Sequence, residues 1–119
     1  MDIELLDPPD GNLIAAGSFD GGPGYEFLIT FDGHVEYCVE GSSEIRWAAP
    51  NATSFYKIVK AWNQYRSEVT VLITEQDQLE RLTQLRKELT VWGAFPSHLQ
   101  SEPEPLWSLL IKEAELGLS

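Results

Sequence analysis

The stretch YEFLITFDGHVEYCVE, residues 25–40, decides how this chain folds. Tyr25, Phe27, Ile29 and Phe31 alternate with Glu26, Leu28 and Thr30; after Asp32-Gly33, Val35, Tyr37 and Val39 alternate with Glu36, Cys38 and Glu40. A period of two is that of a strand with one buried face, and Asp-Gly between two such runs marks a hairpin. A two-residue turn would pair Ile29 with Glu36 and set carboxylates among the aromatics. A three-residue loop, Phe31-Asp32-Gly33 with Gly33 left-handed, pairs Ile29 with Val35 and Phe27 with Tyr37 instead. That register makes one face apolar throughout and predicts Glu26, Leu28, Thr30, Glu36, Cys38 and Glu40 on the other, an acidic face that needs no helix to cover it.

Upstream, residues 19–24 (FDGGPG) have the composition of a loop, because three glycines and a proline in six residues cannot hold a ladder. Residues 12–18 (NLIAAGS) suit a short buried strand. Residues 1–11, with two prolines and four acids, read as an exposed lead-in. Downstream the period changes. Phe55, Ile58, Val59 and Trp62 recur at helical spacing behind a cap at Asn51 or Thr53. Residues 68–74 (EVTVLIT) are β-branched and read as either a short strand or a linker. Thr74 caps a second helix with the stripe Leu79, Leu82, Leu85 and Leu89, ended by Gly93. Residues 94–105 form a loop. Pro105 suits the first turn of a third helix with the stripe Trp107, Leu110, Ile111 and Ala114, for which Gly117 is the natural stop. The expected fold class is therefore α+β: an antiparallel, possibly mixed, sheet from the N-terminal half packed on about three helices from the C-terminal half. The expected core joins Phe55, Ile58, Val59, Trp62, Leu79, Leu82, Leu89, Trp107, Leu110 and Ile111 to Phe27, Ile29, Val35 and Tyr37.

The 119 residues suit one domain, 1–119. The formal net charge is −11, and its distribution is uneven. Residues 1–50 hold ten acids (Asp2, Glu4, Asp7, Asp10, Asp20, Glu26, Asp32, Glu36, Glu40 and Glu44) against one base, Arg46, whereas residues 51–119 hold nine acids against seven bases. An acidic, strand-rich half attracts cationic partners and repels nucleic acid and anionic membrane. The N-terminal stretch lacks the basic and apolar regions of a signal peptide, and no apolar run approaches the ~20 residues of a membrane span. The expected location is the cytoplasm.

The chemical inventory points away from catalysis. The single cysteine, Cys38, can form neither an internal disulfide nor a multi-thiolate metal site. His34 is near it in sequence, but the surrounding acids raise a thiol's pKa and suppress the thiolate a nucleophile needs. The glutamates of an open sheet face are solvated, and the glycines of residues 17–24 match neither the dinucleotide fingerprint nor the P-loop. The two histidines, His34 and His98, show no shared metal spacing. No cofactor, metal ligand or catalytic residue is expected. Of the four tryptophans, Trp62, Trp92 and Trp107 fall at helix-stripe positions or helix ends. Trp47 follows Glu44-Ile45-Arg46 beside the acidic half, where it reads either as core packing or as a half-exposed aromatic with the character of a binding hot spot.

The order of these pieces resembles the SUKH superfamily of bacterial toxin-immunity proteins, most closely its fourth family. A strand leads through a Gly/Asp loop into a hairpin; a capped helix with an early phenylalanine follows; and the chain closes on a tryptophan-bearing helix ending in Gly-Leu. Gly17, Asp20, Gly22, Phe55, Trp107 and Gly117 carry the resemblance, over residues 12–118. Much of the usual N-terminal part is missing or reduced to residues 1–11, and Trp92-Gly93-Ala94-Phe95-Pro96 stands where an Asp-Pro is frequent. The resemblance implies a non-enzymatic protein that binds and neutralises a toxin. With the charge, it predicts a cationic, nuclease-type partner held by Asp20, Glu26, Glu36, Glu40, Glu44 and Trp47. A regulatory or scaffold adaptor of the same fold is the alternative, and a small hydrolase using Cys38 or the glutamates is the third reading.

Overall fold

In the computed structural model, which describes residues 3–18, 22–72, 74–96 and 104–116, five strands precede three helices. They are β1 (Leu5–Asp10), β2 (Leu13–Ser18), β3 (Gly24–Ile29), β4 (Val35–Val39) and β5 (Ile45–Ala49), then α1 (Ala52–Val69), α2 (Glu75–Val91) and α3 (Leu106–Glu115). The strands form one antiparallel meander in the order β1-β2-β3-β4-β5. The fold is α+β, as the switch from a two-residue to a helical period predicts.

The central hairpin has the expected register: Ile29 opposes Val35, Phe27 opposes Tyr37 and Tyr25 opposes Val39. Its loop spans three residues. Thr30 N–H donates to the His34 carbonyl at 2.8 Å, and Gly33 takes φ +94°, a left-handed conformation that costs glycine little. Residues 1–11 differ from the expected lead-in, because residues 5–10 form the edge strand β1. Pro8 and Pro9 argue against a strand in general, but an edge strand needs partners on one side only and tolerates a missing N–H. The β1–β2 register is irregular, running from Leu5 opposite Ala15 to Asp10 opposite Leu13. Prolines, acids and a bulge are also what keep an edge from pairing with another chain.

Helices α1 and α3 pack on the sheet at β5 and α2 packs on α1 and α3, and Ile14, Ala15, Tyr25, Phe27, Val35, Tyr37, Ala48 and Ala49 are the buried residues of the sheet. Phe27 is at the centre: its ring lies 4.9 Å from Phe55, 5.3 Å from Tyr37 and 6.0 Å from Tyr25. Such pairs contribute about 0.5–1.5 kcal/mol each beyond the area they bury. Helix α1 starts where the Asn51 side chain accepts from Ser54 N–H at 2.8 Å, which settles the choice of cap. It runs on through Val69 and takes the first part of residues 68–74, so no strand forms there among the described residues. Thr74 caps α2 by accepting from Asp77 N–H at 3.1 Å. At the other end Gly93 (φ +79°) donates to Thr90 O and Ala94 N–H to Leu89 O, the two bonds of a Schellman stop.

The core holds the expected core residues with two exceptions. Leu79 is 41 % exposed: it sits in the first turns of α2, on the rim of a groove of about 580 Å³ bounded by Tyr65, Arg66, Leu82 and Leu116. Ile29, at the end of its strand, is only half-buried. At β5 the register passes from Val35 opposite Ala49 to Glu36 opposite Trp47, so Ala48 is bulged and both alanines are buried. Their small size lets α1 and α3 approach, and the fully buried Trp107 donates its indole N–H to the Ala48 carbonyl at 2.7 Å.

Candidate functional site

With the helices on one side, the pleat leaves the other side of the sheet uncovered among the described residues. Residues alternating with the buried set fall there: Leu13, Ala16, Glu26, Leu28, Thr30, His34, Glu36, Cys38, Ile45 and Trp47. Glu26 opposes Cys38 and Ala16, and Glu36 opposes Leu28 and Trp47. Four of the six sequence-predicted site residues, Glu26, Glu36, Glu40 and Trp47, are thereby gathered on or beside one surface. Among the described residues that surface carries no lysine or arginine. Half-buried Leu13 and Leu28 are paired across β2 and β3 beside the carboxylates, so the face mixes charge with apolar area.

Two predicted residues stand apart. Asp20 lies outside the described residues. Glu44 precedes β5, and its carboxylate is paired with Arg46 at 3.0 Å, whose other N–H donates to the Glu104 carbonyl at 2.9 Å. Glu44 is therefore locally neutralised. Glu40 is exposed at the end of the face and accepts from Gly24 N–H at 3.3 Å, which pins β3 to β4 at that end.

Sequence reasoning missed the role of His34. Its Nδ1 lies 2.6 Å from the Asp32 carboxylate and 3.0 Å from Thr30 Oγ1, and its Nε2 lies 2.8 Å from Glu36 Oε1. The ring stacks on Trp47 at 4.8 Å between centroids and 12° between planes. The Trp47 indole N–H in turn donates to the Gly93 carbonyl at 3.1 Å, where α2 stops. The Thr30 hydroxyl also donates to Asp32, and this bond, with His34 beside it, holds the Asp32 carboxyl below the usual carboxylate range. The signal was present in the alternation. His34 immediately precedes β4 and is two residues from Glu36, so the two share a face, but the cross-strand neighbour Trp47 depends on a register that only the bulge at Ala48 sets.

Cys38 lies at the edge of a shallow depression of about 490 Å³ lined by Ala16, Gly24, Glu26, Val39 and Glu40 among others. Burial pushes its thiol pKa up, and the charges of Glu36 and Glu26 push it further. That is the reverse of what thiolate chemistry needs, and His34 is engaged by Asp32 and Glu36 rather than by Cys38. Among the described residues no three His, Cys, Asp or Glu side chains are placed to hold a metal ion, and no helix is long and apolar enough to cross a membrane.

No family model, curated protein or solved structure matches the chain.

Proposed function

We propose that this is a binding protein that neutralises a cationic protein partner of the nuclease-type toxin class, docking it on the uncovered face of the sheet. The observation that carries the proposal is a sheet face with Glu26, Glu36 and Glu40 on or beside it, and no lysine or arginine among the described residues to balance them. Carboxylates so placed steer a positively charged surface into contact, and the half-buried apolar residues between them supply the area that holds it. The SUKH-like order of elements supports the same reading. The raised thiol of Cys38 speaks against a hydrolase that uses it.

The test is capture of the partner from the source cell at low salt, followed by titration of the purified pair. Exposed charges are screened within about 8 Å at physiological ionic strength, so the affinity should fall steeply as salt rises. The captured protein, expressed alone, should arrest growth, and co-expression with this chain should restore it. An affinity indifferent to salt, or a partner harmless on its own, defeats the proposal.

A further inference from the structure

We infer that Phe31, at the tip of the β3–β4 hairpin, is an anchor that inserts into an apolar pocket rimmed by basic residues on the protein partner. The inference rests on the docking-face reading and deepens it. Phe31 has a relative exposure of 108 %, whereas Phe27 and Phe55 are fully buried. A ring this exposed buries no surface within this fold, and burying it in a partner removes that apolar surface from water. Its backbone is nevertheless held firmly. The residues on either side are locked by Thr30 N–H to the His34 carbonyl (2.8 Å), Gly33 N–H to the Thr30 carbonyl (3.0 Å) and the Asp32–His34 pair (2.6 Å). The stack of His34 on Trp47 then ties the loop to β5. A presented aromatic on an ordered loop avoids most of the ordering cost of binding. The charge beside it selects the occupant. The Asp32 carboxylate is adjacent and 69 % exposed, and Glu36 lies on the face below, so a basic rim is complementary and an anionic lipid surface is repelled.

The test places a photocrosslinker at the tip (Phe31→p-benzoylphenylalanine) in the full-length protein in its source cell, with Val71, exposed in the turn after α1, as the control position. The expected result is one cross-linked protein from position 31 that is absent from position 71. With that protein purified, Phe31→Ala should raise Kd about 30-fold or more, the range of an interface anchor. The melting temperature and the salt dependence of binding should both stay unchanged. A lipid adduct, no product beyond the control, or a change in Kd below about threefold overturns the inference. The two readings fail separately. Loss of affinity in Phe31→Ala with no salt dependence keeps the anchor and removes the acidic docking face. Strong salt dependence with a neutral Phe31→Ala keeps the face and removes the anchor.

Discussion

Replacing Trp107 with alanine tests the packing on which the exposed face depends. Trp107 is fully buried, its ring lies 5.8 Å from that of Trp62, and its indole N–H donates to the Ala48 carbonyl at 2.7 Å. Truncation to alanine empties a ring-sized volume in a core that cannot fully collapse, at a cost of about 3–5 kcal/mol. The Ala48 carbonyl also loses its donor, and a buried unsatisfied group costs about 1–3 kcal/mol. Together these are about 4–8 kcal/mol against a total stability of about 5–15 kcal/mol for a domain, so Trp107→Ala should lower the urea midpoint sharply and the melting temperature by roughly 16–32 °C, at about 4 °C per kcal/mol. Trp107→Phe keeps most of the ring and removes the hydrogen bond, so it should lose less than half as much. Far-UV circular dichroism is the appropriate signal, because tryptophan fluorescence changes with the substitution itself. If Trp107→Ala unfolds within about 1 kcal/mol of the parent, or if Trp107→Phe loses as much as Trp107→Ala, α3 is not held to β5 as described.

Gly93→Ala should cost about 1–3 kcal/mol in the same urea assay, since φ is +79° and the added Cβ would lie 2.8 Å from Pro50 Cγ. Tyr37 governs alkaline stability: burial first, then the neighbouring Tyr25, pushes its hydroxyl pKa up to about 12 from 10.0. The folded state therefore holds the proton that the unfolded chain releases, so this contribution is complete below pH 10 and is lost as the pH rises towards 12. Tyr37→Phe should flatten the stability curve across that window, and an unchanged slope would show that Tyr37 is not the group responsible. Glu36→Gln should change stability by less than about 1 kcal/mol, because a partly exposed pair with His34 contributes little. With the captured partner it should reduce the salt dependence of Kd, and unfolding of this variant would show that the face is structural.

The meander's central hairpin, the three helices and most of the core were legible in the chain because each depends on local periodicity. The pairing of Ile29 with Val35 follows from requiring one apolar face, and Asn51, Thr74 and Gly93 act at helix ends through bonds that span only a few residues. The acidity of Glu26, Glu36 and Glu40 was legible for the same reason, since alternation alone puts them opposite Phe27 and Tyr37. What depends on distant partners was not legible. Strand β1 exists because β2 offers it an edge, which the local preferences of Pro8 and Pro9 cannot show. Leu79 repeats the helical stripe but reaches a place where no other element among the described residues covers it, and Glu44 is neutralised by an arginine held in turn by the Glu104 carbonyl. The contact of His34 with Trp47 needs the bulge at Ala48, which shifts β5 against β4 and brings a turn residue and an edge-strand aromatic face to face. Period and composition act within a few residues of the chain; register shifts, edges and coverage are set only when the elements meet.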